Sequence, residues 1–135
     1  MSRYVIDAPT LLRLIDAEQP VDADHQLVAP GRIRSDALEL LLRAVRSAEL
    51  TEREALARHT KVTELKMRLL NDRGSRGLAW AIAREHDWDS IHDAEYLALT
   101  RLQGDALVTV DPCLAAKAAG IVPLSPFDAL TAPDR

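Results

Sequence analysis

The chain has 135 residues, of which 47% are hydrophobic and 28% charged, and its net charge is −4. That length suits a single domain, residues 1–135, with a core of its own, and the composition excludes a disordered chain, a collagen-like repeat and a coiled-coil rod. The lone cysteine, Cys113, excludes an intrachain disulfide framework and a cysteine-based zinc site, and no apolar run approaches the length of a membrane span.

Arg3-Tyr-Val-Ile6 is short, apolar and partly β-branched, the pattern of a buried strand. Pro9 suits the first turn of a helix whose Leu11, Leu12, Leu14 and Ile15 recur at helical spacing. Residues 18–25 are polar and predict a loop, and Gln26-Leu-Val-Ala29 predicts a second strand. From Ile33 to Ala48 the chain predicts a long helix, with Leu38, Leu41, Leu42 and Val45 as its core-facing stripe. Thr51 and Glu54 form the capping-box pattern of a further helix. Lys66-Met-Arg-Leu-Leu70 is ambiguous and fits a short strand stopped by turn residues Asn71-Asp-Arg-Gly74. Leu78, Ala79, Ile82 and Ala83 predict a helix over roughly 75–86, and another starts at Ser90 and runs to Leu102. Gln103-Gly-Asp105 predicts a turn, Ala106-Leu-Val-Thr-Val110 a strand, Pro112 to Lys117 a short helix ended by Gly120, and Ile121-Val-Pro-Leu124 a last strand. Strands alternating with helices imply an α/β fold with a mainly parallel sheet between helical layers. Such sheets bind ligands outside the carboxyl ends of their strands.

Charge is uneven along the chain. Residues 31–76 carry eleven Lys or Arg against seven Asp or Glu, and the remainder six against fourteen. Two solvated faces account for this, as does a basic flank beside an acidic centre, the arrangement that suits phosphate and metal cations. The N-terminal stretch carries charge where a signal peptide has its apolar region, so the expectation is a cytoplasmic protein. With 4% aromatic residues, a base-stacking surface is not expected.

The acidic residues fall in a pattern. Tyr4-Val-Ile-Asp7-Ala-Pro9 and Val108-Thr-Val-Asp111-Pro112 are alike: an apolar strand stops at an aspartate and a proline-started helix follows. Each aspartate suits a helix N-cap. Two carboxylates at one edge of one sheet also repel each other unless a cation lies between them. Asp93, in the first turn after Ser90, either completes a capping-box-like pattern or projects toward the strand ends. Asp36 lies in the first turn of the long helix, with Glu39 three residues on. Hard oxygen ligands of this kind suit Mg²⁺ or Mn²⁺. No phosphate-binding loop, dinucleotide fingerprint, zinc-protease motif or nucleophile elbow occurs. His25, His59, His86 and His92 show no ligand spacing, and Cys113 fits a small packing residue.

Val5-Ile-Asp7, Arg34-Ser-Asp36-Ala-Leu, Asp93-Ala-Glu-Tyr-Leu-Ala-Leu-Thr100 and Leu107-Val-Thr-Val-Asp111 together resemble the PIN domain, and more narrowly the VapC-like ribonuclease toxins of prokaryotic toxin–antitoxin pairs. The resemblance covers nearly the whole chain. It implies a three-layer sandwich around a central parallel sheet and a Mg²⁺-dependent endoribonuclease, with Mn²⁺ able to substitute. It assigns Asp7, Asp93 and Asp111 to the metal, Asp36 to the position where the family usually has glutamate, and Thr109 to a supporting hydroxyl. It implies an RNA substrate, a small antitoxin that blocks the site, and a homodimer. Pro9 stands where the family commonly has Ser, Thr or Asn, with Thr10 as the nearest substitute; Asp36 is one methylene shorter than glutamate, with Glu39 as its stand-in; and the further acid that some members carry after Asp111 is absent. Arg32, Arg34 and Arg43 are candidates for the RNA backbone. A catalytically silent module of the same fold that binds RNA or a protein is the alternative. A phospho-acceptor domain fits less well, because that chemistry wants an acidic pair at the first strand and Asp7 stands alone.

Overall fold

The structure, a computed structural model, describes residues 2–17, 19–70 and 73–131. Its elements run β1 (Ser2–Ile6), α1 (Ala8–Asp16), β2 (His25–Pro30), α2 (Ile33–Arg46), α3 (Glu52–Glu64), β3 (Arg68–Leu70), α4 (Arg73–Glu85), α5 (Ile91–Gln103), β4 (Ala106–Val108) and α6 (Pro112–Ala118), followed by a 3₁₀ turn at Phe127–Leu130. The four strands form one parallel sheet in the order β3-β2-β1-β4. The chain thus winds outward from β1 to β3 and returns to β4 on the other side of β1. The strand order reverses between β1 and β4, which opens a crevice at their carboxyl ends.

Alternation along the strands divides the core into two layers. Val5, Val28 and Leu107 pack with α4, α5 and α6 through Ile82, Leu97, Leu99 and Leu114. Ile6, Leu27, Ala29 and Val108 pack with α1, α2 and α3 through Leu11, Ile33 and Val62. Successive strand residues point to opposite faces, so each strand feeds both layers. The result is a three-layer α/β sandwich, as the alternation of elements implies. No described helix is long and apolar enough to cross a membrane.

Four sequence expectations need correction. Gly74, expected in a turn, lies in the opening turn of α4, whose apolar face buries Ala79, Ile82 and Ala83; Asn71 and Asp72 lie outside the described residues. On α2 the buried face is Ile33, Ala37 and Leu41, whereas Leu38 and Leu42 are exposed and, with Val45, line a groove against Ala55 and Leu56 of α3. α3 lies beside α2 and takes part of the stripe that was expected to face the core. The strand expected at Ile121–Leu124 is a single parallel bridge of Leu124 to Leu107, made by the Leu107 N–H to Pro123 O at 2.9 Å and the Ser125 N–H to Leu107 O at 3.0 Å. Pro123 has no N–H to extend that ladder. β4 ends at Val108, before Val110, because the chain there is pulled toward α1 by the side-chain bonds described below.

One close approach sets the distance between α5 and the sheet. A Cβ on Gly104, the C-cap of α5, would stand 2.8 Å from Val5 Cγ2 and 3.3 Å from the Thr100 Cα. Val5 is fully buried and β-branched, so it has no room to turn away. Gly104→Ala is therefore expected to destabilise the chain by about 1–3 kcal/mol through overpacking. In a double-mutant cycle read by denaturant unfolding, Val5→Ala should recover part of that loss; strictly additive costs would refute the contact.

Candidate functional site

β1 ends at Ile6, which is level with Val108 of β4. The next residue on each strand is Asp7 and Thr109, and these meet: Thr109 Oγ1 donates to Asp7 Oδ2 at 2.6 Å. Asp7 is also the N-cap of α1, accepting from the Thr10 N–H at 3.2 Å and from the Thr10 hydroxyl through Oδ1. Pro9 in the first turn gives up an N–H that the helix does not use. Thr10 Oγ1 in turn accepts from the Val110 N–H at 3.0 Å, and Thr109 Oγ1 accepts from the Asp111 N–H at 3.0 Å. Two hydroxyls thus bolt the end of β1 to the segment after β4. Thr10 is fully buried and supplies the hydroxyl that Pro9 lacks.

Asp7 is 3% exposed. Burial pushes its carboxyl above the ordinary range and nearby Asp111 adds to that, against the opposing hydrogen bonds of Thr10 and Thr109. Asp111 caps α6, accepting from the Cys113 N–H at 2.9 Å. Both aspartates are therefore helix caps as well as strand-end carboxylates.

Asp93 and Asp36 are each turned to a cation. The Lys117 ammonium lies 2.8 Å from Asp93 Oδ2, and Asp93 and Asp111 hold that ammonium's pKa above its usual value. Ser90 caps α5 through the His92 N–H at 3.2 Å, so the capping-box reading of Asp93 does not apply. Arg32 grips Asp36 with Nη2 at 2.9 Å and Nε at 3.0 Å, and also contacts His92. The Tyr96 hydroxyl donates to Asp36 Oδ2 at 3.3 Å. Burial, then the charges of Asp36 and Asp7, push the Tyr96 phenol far above its usual range, so it stays a donor at any working pH.

All four aspartates, with Glu39, Arg32, Arg43, His92 and Tyr96, line one open cleft of 310 Å³ at the carboxyl edge of the sheet. Glu39 lies at its rim, in an exposed pair with Arg43 at 3.6 Å. Arg34 does not reach the cleft. Its Nη2 donates to the Leu65 carbonyl at 3.3 Å, where it ties α2 to the end of α3. A larger cavity of 580 Å³ lies at the opposite, amino ends of β2 and β3, among Val21, His25, Leu65 and Met67, and holds no comparable set of carboxylates. His92, Tyr96 and Lys117 are site residues that sequence reasoning missed. Tyr96 lies one helical turn after Asp93 and so on the same face, a usable signal; Lys117 is 24 positions from Asp93 and gives none.

The cleft is lined by five carboxylates and two arginines. Hard oxygen donors with an excess of negative charge fit a divalent cation such as Mg²⁺. Among the described residues, no three histidine, cysteine or acidic side chains stand close enough together to hold an ion as they are arranged. Two of the four aspartates are turned instead to Arg32 and Lys117.

No family model matches the chain, and no curated protein matches it. Its fold is similar to that of a solved structure, PAE2754 from Pyrobaculum aerophilum, at a TM-score of 0.68 and 21% identity, over 94% of this chain and 92% of that one. At that identity the likeness speaks to the fold alone.

Because Asp7 binds its proton more readily folded than unfolded, stability falls as pH rises from the ordinary value of 3.8 through the raised folded value, and is level above it. Asp7→Asn removes this slope and should melt above wild type at neutral pH, the gap closing in acid. A lower melting temperature at neutral pH would mean that the hydrogen bonds outweigh burial. Thr109→Val, which leaves both Asp7 and the Asp111 N–H short of a partner, should cost about 1–3 kcal/mol in denaturant unfolding, and Thr109→Ser much less.

Proposed function

We propose that the chain is a metal-dependent endoribonuclease of the PIN type, similar to VapC-like toxins, that hydrolyses RNA phosphodiesters with Mg²⁺, or Mn²⁺ in its place. The observation that carries this reading is the gathering of Asp7, Asp36, Asp93 and Asp111, from four separate segments, into one open cleft where the strand order reverses. In this reading Asp7, Asp93 and Asp111 hold the ion, and Asp36 assists. The chemistry such an ion supplies is activation of water and stabilisation of the charge that builds on phosphodiester oxygens.

The chain's own groups do the rest. Thr10 and Thr109 fix the rotamer of Asp7 and offset part of the cost of its burial, and a cation would offset the rest. Arg32 and Arg43 face the cleft and suit the phosphates on either side of the scissile bond. Tyr96 holds Asp36 as a donor, and its phenol stays protonated, so it does not serve as a general base. A small antitoxin protein covering the cleft, a second copy of the chain and a cytoplasmic setting belong to the same proposal.

Asp93→Asn is expected to lower Mn²⁺-dependent cleavage of a tRNA and rRNA mixture by at least about 100-fold, the scale of losing a metal-activated step, with the circular dichroism spectrum unchanged. Chelation of the wild type should do the same. Poor growth on expression that Asp93→Asn relieves would add to the reading. Undiminished cleavage by the folded variant would overturn it. The silent module is favoured by the way Arg32 and Lys117 already compensate Asp36 and Asp93; retained partner binding with no cleavage in either protein would select it.

A further inference from the structure

The strongest feature that the proposed chemistry leaves unused is Lys117. It lies in the last turn of α6, the helix that Asp111 caps. Its ammonium is 2.8 Å from Asp93 Oδ2 and within the field of Asp111. On another side it lies 5.3 Å from the centroid of the Trp88 ring. Trp88 is held in place, half-buried against the α4–α6 core and stacked on His86 at 5.3 Å. The ammonium is therefore shared between the Asp93 carboxylate and an aromatic face.

We propose that Lys117 is the built-in counter-cation of the carboxylate cleft, and that a divalent ion reaches Asp93 only by displacing it. This inference rests on the metal-site reading above. Asp93 and Asp111 both act on the Lys117 ammonium, and both line the cleft with three further carboxylates, so Lys117 offsets part of that negative charge in the ion-free chain. The exchange is feasible because the pair is about one-third exposed, with relative side-chain accessibilities of 38% and 35%. Ion pairs so exposed are weak. The indole face of Trp88 gives the ammonium somewhere to stay once it leaves the carboxylate. The Arg32–Asp36 pair differs: it is bidentate and buttressed by Tyr96 and His92, so it is the less replaceable of the two. Lys117 thus stabilises the empty cleft and weakens its affinity for metal at the same time.

The test is calorimetric titration of Mg²⁺, without RNA, into wild type, Lys117→Gln, Lys117→Arg and Asp93→Asn. A second readout is Trp88 emission in a Trp80→Phe background, at constant pH. Lys117→Gln is expected to bind Mg²⁺ about two- to fivefold more tightly, the scale of a partly exposed ion pair, while melting below wild type when free of metal. Lys117→Arg should stay near wild type, and Asp93→Asn should lose binding. Saturating Mg²⁺ should change Trp88 emission in wild type and leave it unchanged in Lys117→Gln. A purely structural role for Lys117 would lower stability without raising affinity. If wild type binds Mg²⁺ but Lys117→Gln binds no tighter, the counter-cation role is wrong and the metal site stands. Should no folded form bind Mg²⁺, both fall. If Lys117→Gln does not fold, an unaltered Trp88 emission in wild type at saturating Mg²⁺ overturns the proposal.

Discussion

The carboxylate of Asp7 is buried at the end of the strand around which the sheet reverses its order, and an ionised group in that position is costly. Two hydroxyls keep it there. Thr10 comes from the helix that follows β1 and Thr109 from the segment that follows β4, and each also accepts a backbone N–H from the β4 side. The same four bonds that make the burial tolerable tie the two halves of the chain together at the crevice. They also bring Asp111 close enough to raise the energy of ionised Asp7 further. A site organised in this way is stable as a scaffold and short of positive charge at its centre.

The shortage is met locally, and differently at each carboxylate. Asp36 receives a planar guanidinium in two-point contact and a phenol. Asp93 receives a single flexible ammonium. Asp7 receives, from the described residues, two hydroxyls and a backbone N–H rather than a cation. The gradation matters for what can enter. A guanidinium fork matches a carboxylate in shape and is hard to exchange, whereas an ammonium is a point charge on a mobile stem. The carboxylate on the α2 side is therefore the more firmly paired, and Asp93 is the one whose partner is easier to exchange.

The positions at which the sequence departs from the pattern it resembles look different once the chain is folded. Pro9 leaves the position without a hydroxyl, but the tight first turn of α1 brings Thr10 round to bond Asp7 from below. Asp36, one methylene short, is held within the cleft by Arg32 and Tyr96 and lines it all the same. The arginines at the start of and along α2 diverge: Arg32 and Arg43 face the cleft, and Arg34, two residues after Arg32, turns to the Leu65 carbonyl. A two-residue step on a helix is enough to rotate a side chain to another face.

How much was legible in the sequence follows from the range of the forces involved. Local patterns determined the alternation of strands and helices, the capping residues Asp7, Thr51, Ser90 and Asp111, and hence the parallel α/β layers with aspartates beyond two strand ends. Those signals are carried by residues within one or two turns of each other, which is why they can be read from spacing alone. The short Arg68–Leu70 strand is ambiguous in the sequence, and the start of α4 falls at Arg73 rather than near 75, because neighbouring layers, not local preference, decide them. Only the tertiary structure decided that the Thr10 hydroxyl bonds Asp7, that most of the apolar stripe on α2 lines a groove beside α3, and that Lys117 meets Asp93 across 24 residues. Each of these is a contact between segments that the strand order brings together, and no local periodicity records which side chain of one segment will face which of another.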